Sequence, residues 1–273
     1  MKTMLVLSMG ALLLAGTLSA QTPIPEWQAG VDKMKSLIQT NPAQASEEVG
    51  GLLKGKNKKN VDLVTSVAHV YLDAGKLTEA QEYLAMAKKA DNKDPKVSVL
   101  EGDIALAQKD IGQACQLYEQ AIYFDPNCKE AYLKYAQAYK SASPALAIEK
   151  LEQLKAVDPN CLEADRELAE VYYSSNRFGK AAEMYAKFID TPLATEDDML
   201  KYAFALFLNH DFEKSLQVAQ KGLQKNARHA AFNRLVMYNN TDLKRYEDAE
   251  KAADAFFNAS DHADYSYLDY RYY

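Results

Sequence analysis

Apolar residues recur along this chain at spacings of three and four, the period of one helical face. Val67-Ala68-x-x-Tyr71, Tyr135-Ala136-x-x-Tyr139, Leu168-Ala169-x-x-Tyr172 and Tyr202-Ala203-x-x-Leu206 are four such faces. Each is followed by a break and then a second periodic stretch opening on a small residue. Those small residues are Ala80, Ala114, Ala147, Ala181, Ser215 and Ala249, separated by 34, 33, 34, 34 and 34 positions. An apolar or aromatic residue stands four further on at Leu84, Tyr118, Leu151 and Tyr185. Gly75, Asn176 and Asn209 lie between the two stretches, where a turn residue is needed, and Pro126 and Pro159 lie where the second stretch has to stop. The pattern predicts an all-α chain of repeated helix–turn–helix units. One such unit cannot cover its own apolar faces, so stacked units bury them in each other and form a solenoid.

The unit resembles the tetratricopeptide repeat, whose signature runs W-x2-L-G-x2-Y, then A-x3-F, then P. Segment 162–195 carries Leu168, Ala169, Tyr172, Phe178, Ala181, Tyr185 and Phe188, and segment 95–127 carries Gly102, Ala114, Tyr118, Ala121 and Pro126. The resemblance implies a right-handed superhelix of antiparallel helix pairs. Its repeats are expected at about 61–94, 95–127, 128–161, 162–195, 196–229 and 230–263, after a degenerate hairpin over 21–60. Small residues at Ala80, Gly102, Ala114, Ala147, Ala169, Ala181, Ala203, Ser215 and Ala249 are the expected crossing points, where backbones approach closely.

Several places depart from the pattern. In the first hairpin, stepping back 34 from Ala80 puts Ser46 at the crossing and Gly50 at the aromatic position. The turn Ser141-Ala142-Ser143-Pro144 is one residue short. Asn240 stands where the sixth unit calls for a large apolar side chain. Tyr265, Tyr267, Leu268, Tyr270, Tyr272 and Tyr273 read as the first helix of a further, truncated repeat over 264–273, which suggests a fragment of a longer protein. A functional tyrosine-rich tail is the rival reading.

At the other end, Lys2 and the apolar run Met4–Gly16 read as an export leader cleaved near Ala20-Gln21. The expected location is the periplasm or the extracellular space. No Cys follows that run and no later segment is apolar enough to cross a bilayer, so no stable membrane anchor is expected.

Composition sharpens the functional reading. Net charge is −6, with acids and bases interspersed, which argues against nucleic acid as partner. One cationic stretch, Lys54-Gly55-Lys56-Asn57-Lys58-Lys59, reads as a solvated loop or as a site for an anionic partner. Cys115, Cys128 and Cys161 are too few and too far apart along helices for a disulfide framework, and are expected as free thiols. His69, His210, His229 and His262 fall in different units and not at metal-ligand spacing. Neither a nucleophile elbow nor a phosphate loop occurs, so no catalytic residue, cofactor or metal is expected.

The resemblance implies instead a groove lined by the first helices, holding a peptide or protein partner. The family's groove positions fall on Arg166, Glu170 and Tyr173, on Leu200, Phe204 and Phe207, and on Arg234, Tyr238 and Thr241. Aromatics flanked by arginines suit an interface. Phe204 and Phe207 packing against the neighbouring unit is the alternative. The family's carboxylate clamp is not encoded, since Thr65, His69, Val99 and Asp103 occupy its places. A binding scaffold is thus the leading reading. An accessory or sensor subunit with its activity in a missing C-terminal region is the other.

Overall fold

A computed structural model describes residues 24–260 and 265–273. The expected leader, His262 and the first position of the expected truncated repeat lie outside the described residues. Among the described residues the only regular secondary structure is helical. Antiparallel pairs follow one another: α1 (Gln28–Leu37) with α2 (Pro42–Leu52), α3 (Val61–Asp73) with α4 (Leu77–Ala90), α5 (Pro95–Ala107) with α6 (Ile111–Phe124), α7 (Lys129–Tyr139) with α8 (Pro144–Val157), α9 (Leu162–Ser174) with α10 (Phe178–Phe188), α11 (Glu196–Leu208) with α12 (Phe212–Lys225), and α13 (Ala230–Asp242) with α14 (Tyr246–Ala259). A six-residue helix, α15 (Tyr267–Tyr272), lies against α13. Most first helices also touch the next first helix, and the second helices α4, α6, α8, α10 and α12 bridge to the following pair, as a one-dimensional stack requires.

The turn inside five of the seven pairs, all but α1–α2 and α7–α8, is nearly invariant. Gly75, Lys109, Asn176, His210 and Lys244 all have positive φ, between 57° and 73°. The next residue's N–H reaches back five positions, Lys76 to Tyr71, Asp110 to Ala105, Arg177 to Tyr172, Asp211 to Leu206 and Arg245 to Asn240, at 2.7–3.0 Å. That is the left-handed helix stop in which orphan carbonyls are satisfied by the reversing chain. Asn209 lies in the turn between α11 and α12, as expected, and its neighbour His210 takes the left-handed conformation. The α7–α8 turn has no left-handed residue. Ser143 N–H bonds only to the Tyr139 carbonyl, at 2.7 Å, and Pro144 starts α8 directly. The residue missing from the 33-residue spacing is thus the one that would carry the positive φ.

Small residues sit at the helix crossings. Ala80, Ala114, Ala147, Ala169, Ala181, Ala203 and Ser215 are fully buried, and Ala249 nearly so. A Cβ added to Gly102 would stand 2.5 Å from the Tyr118 ring, so the ring occupies the space that a side chain would need. Gly222 does the same for Phe232, again at 2.5 Å. Tyr118, Tyr185, Phe188, Phe232 and Phe256 fill the spaces beside these crossings completely. The first hairpin is registered differently from the expectation. Ala45, not Ser46, is buried at the crossing, and Val49 and Leu53 follow it into the core. Ser46 and Gly50 face solvent. The 3₁₀ turn Gly55–Lys59, inserted before α3, absorbs the one-residue slip.

Candidate functional site

The face formed by successive first helices carries a ladder of ion pairs, each joining one unit to the next. His69 Nε2 and Lys134 Nζ both lie 2.9 Å from Asp103 Oδ2, and Tyr118 OH donates to Oδ1 at 2.8 Å. Lys129 meets Glu163 at 2.7 Å, and Lys201 meets Glu170 at 2.9 Å. Tyr185 OH donates to the same Glu170 at 2.7 Å. Arg166 grips Asp198 through both Nε and Nη2, each at 3.0 Å. Arg234 grips Asp269 at 2.9 and 3.2 Å. Partners along the ladder lie 31–35 positions apart, close to one repeat length.

Asp198 and Asp269 close helix N-termini as well as pairing with arginine. Asp198 accepts Thr195 N–H at 2.8 Å and the Thr195 hydroxyl at 2.6 Å, while that hydroxyl accepts Asp198 N–H. Asp269 accepts Ser266 N–H at 2.6 Å and its hydroxyl at 2.9 Å. Both are capping boxes with Asp at the third position. Burial alone would raise these carboxyls. The Thr195 donors and Arg166 outweigh it at Asp198, and Tyr238, Ser266 and Arg234 outweigh it at Asp269, so both sit below the usual carboxylate range. For Asp103 burial likewise pushes up, but His69, Lys134 and Tyr118 pull it down overall. Tyr185 and Tyr238 are raised, first by burial and then by the carboxylates they bond.

The expected groove residues separate into three groups. Tyr173, Phe204 and Arg234 line one depression of about 320 Å³, with Asp197, Leu200, Lys201, Ala231 and Leu235. Arg166 and Glu170 are half-buried and engaged in the ladder. Phe207 and Tyr238 belong to an aromatic cluster. Phe207 lies 5.6 Å from Phe212, 5.6 Å from Tyr238 and 6.2 Å from Tyr272, and Tyr238 lies 4.4 Å from Tyr272. Tyr238 is 4% exposed, because α15 covers it. Thr241 donates its hydroxyl to the Tyr272 carbonyl at 3.2 Å, which fastens the same cover. A larger depression, about 520 Å³, lies between the second helices α12 and α14 and is lined largely by Gln220, Asn233, Asn240, Arg245, Asp248 and Lys251.

Sequence reasoning missed Asp198 and Asp269, although Thr195-x-x-Asp198 and Ser266-x-x-Asp269 each spell a capping box. It also missed Lys201, which pairs with both Glu170 and Asp197. Of the histidines, His229 caps α13 and lies 3.1 Å from Glu196, and His210 holds a turn. Among the described residues no group of three or more His, Cys, Asp and Glu side chains is placed to hold a metal ion. Cys115 and Cys161 are buried and Cys128 is half-buried, all as free thiols. Burial, then the nearby Glu119, push the Cys115 thiol up to about 11, so it is protonated at neutral pH. Among the described residues no helix is long and apolar enough to cross a membrane.

The profile of the tetratricopeptide repeat family matches residues 68–129 and 137–194. Over those residues the chain carries tetratricopeptide repeats. Solved tetratricopeptide structures share the fold at low identity. The C-terminal part of a repeat protein from Cytophaga hutchinsonii superposes with a TM-score of 0.65 at 17% identity, covering 89% of this chain and 98% of that one. PilF of Pseudomonas aeruginosa gives 0.60 at 15% identity, covering 80% and 97%. PilW, described as a widely conserved type IV pilus biogenesis factor, gives 0.55 at 15% identity, covering 77% and 97%. No curated protein matches the chain in sequence. A tetratricopeptide stack is a protein-interaction fold.

Proposed function

We propose that this protein is an exported scaffold that binds a peptide or protein partner on the ladder face, with the depression between α9, α11 and α13 as the anchor point. One observation carries the reading. Tyr173, Leu200 and Phe204 are only half-buried there, while the charges around them, Asp197, Lys201 and Arg234, are already engaged with one another or with Glu170 and Asp269. What the depression has left to offer is apolar surface framed by neutralised charge. An aromatic or large aliphatic side chain of a partner suits it, since such anchors contribute much of an interface's energy. The stacked repeats hold the surface ready, so little receptor ordering opposes binding.

Selection of peptides from a random library against the chain tests this. Enriched sequences should carry a large apolar residue, and Phe204→Ala should weaken them about tenfold or more, the scale of one interface anchor. Enriched peptides indifferent to Phe204→Ala would remove the assignment. Export predicts a mature chain beginning at or near Gln21, which N-terminal sequencing of protein recovered from its native host reads directly.

A further inference from the structure

The ladder face is self-neutralised, but one edge of the stack is not. The 3₁₀ turn Gly55–Lys59 and the residue before it contribute Lys54, Lys56, Lys58 and Lys59, all exposed. No carboxylate occurs between Glu48 and Asp62. The turn packs against α4 as well as α3. It precedes the first residue of α3, and α3 and α4 are antiparallel, so it lies beside the end of α4, where Lys88, Lys89 and Lys93 are also exposed. Lys88 pairs with Glu101. Among the described residues the other six lysines make no ion pair within 4 Å, and only Asp91 and Asp94 stand in the same loop, each accepting a backbone N–H. In a protein of net charge −6, six lysines outside any ion pair with only two carboxylates beside them leave an excess of positive charge in one place, whose self-repulsion a loop of balanced charge would avoid.

We infer that this edge is a second interaction surface, separate from the ladder face, and that it receives an acidic polypeptide segment. Charge complementarity gives the sign of the partner. The confined extent gives its kind. The next inter-unit turns along the same edge keep an aspartate, Asp125 and Asp158, and have Asn127 and Asn160 in the place of Lys93, so the cationic patch ends after one unit and does not track a duplex. Ile24 is the one large exposed apolar side chain described in the same unit as the turn, and the others, among them Tyr123, Tyr246 and Tyr267, lie on other units, so no row of apolar side chains accompanies the patch into a bilayer. Lysine ammonium groups are mobile point charges, suited to the scattered carboxylates of an acidic segment rather than to one fixed fork.

Fluorescence anisotropy of the full chain with a labelled oligoglutamate peptide about ten residues long tests the inference, at salt below and above the concentration where the Debye length is about 10 Å. Replacing Lys54, Lys56, Lys58 and Lys59 together with Gln is expected to weaken binding about tenfold at low salt. The matched control replaces Lys109, Lys140, Lys225 and Lys244, four exposed lysines without ion pairs elsewhere in the stack, and should change affinity less than about twofold. Circular dichroism verifies that both variants keep their helices. Equal weakening by both sets would mean that only net charge matters and would overturn the site. So would absence of peptide binding at low salt, or tight binding to vesicles with about 30 mol% phosphatidylglycerol that the first variant abolishes while the peptide does not compete.

Discussion

Two junctions in this stack use the same clasp in different settings. Between α9 and α11, Arg166 reaches across to Asp198, the capping residue of the next first helix. Between α13 and α15, Arg234 reaches across to Asp269 in the same way. Both aspartates are buried, at 1% and 0% exposure. The groups behind the clasp differ. In the inner junction Glu170 sits at the next groove position, tied to Lys201 and to Tyr185, so two ion pairs hold the helices in register. In the outer junction Tyr238 takes that position and gives its hydroxyl to Asp269 itself, at 2.6 Å. The inner helix has thirteen residues and packs on both neighbouring units. The outer one has six residues, too few to be stable alone. The clasp therefore adds to an element that packing already holds in one case, and in the other it is much of what holds the element.

The largest effect is expected from Asp198→Ala. It strips the N-terminus of α11 of its acceptor and leaves Arg166 facing a buried, unpaired position. Loss of a cap and of a buried ion-pair partner together should cost about 2–4 kcal/mol, discounted because Arg166 is partly exposed. The midpoint of urea unfolding measures it, and a loss under about 1 kcal/mol would show that the inner clasp is ornamental to packing. Asp269→Ala should act locally instead. Global unfolding shifts by about 1 kcal/mol or less, since the repeats behind α15 are unaffected. Amides in 265–273 should lose exchange protection, and Tyr238 should become reactive to a tyrosine-directed reagent. If both substitutions gave equal global losses, the two junctions would be equivalent and the comparison wrong.

Acid should separate the clasps from ordinary surface pairs. Asp103, Asp198 and Asp269 are all held below the usual carboxylate range in the folded chain. A lowered folded pKa means that the stability it contributes is fully present above the unfolded value, about 3.9, and is lost as pH falls through the folded one. Unfolding free energy should therefore decline as pH drops below about 4. The decline should be shallower in Asp198→Asn, which has one fewer of these groups to protonate. An unchanged slope in that variant would detach Asp198 from the acid response.

How much of this was legible follows from where the signal lies. Helix pairing showed in the 34-residue return of small residues, because crossings tolerate little else. The slip from Ser46 to Ala45 did not show, since a 3₁₀ insertion of lysines and glycine alters the count without altering the hydrophobic pattern. Asn209 lies in the turn where the sequence puts it, but that the left-handed residue is its neighbour His210 did not show, because the helix length before the turn decides which residue takes that conformation. The clasps spell themselves in Thr195-x-x-Asp198 and Ser266-x-x-Asp269, yet their arginine partners stand 32 and 35 positions earlier and become visible only once the stack sets the register. Tyr238 was read as groove surface for a related reason. The tyrosine-rich end was recognised as helix-forming, but a helix there must lie on α13, and its cover over Tyr238 is a consequence of stacking rather than of local pattern.

The smallest effect probes one hydroxyl behind each clasp. Tyr238→Phe keeps the ring between Phe207 and Tyr272 and removes only the hydroxyl that reaches Asp269. Asp269 retains Arg234 and the Ser266 donors, so the loss should be about 1 kcal/mol, the net worth of one hydrogen bond, and confined to α15. Tyr185→Phe removes the matching hydroxyl from Glu170, which keeps Lys201 at 2.9 Å. Its loss should be of similar size, but it should appear in global unfolding, because Glu170 ties together elements that unfold with the stack. Hydrogen exchange resolved by segment distinguishes the outcomes: Tyr238→Phe accelerates 265–273 alone, whereas Tyr185→Phe accelerates α9 through α11 together. A global effect from Tyr238→Phe would mean that α15 is as integral to the stack as any inner helix, and that its six residues understate its hold on α13.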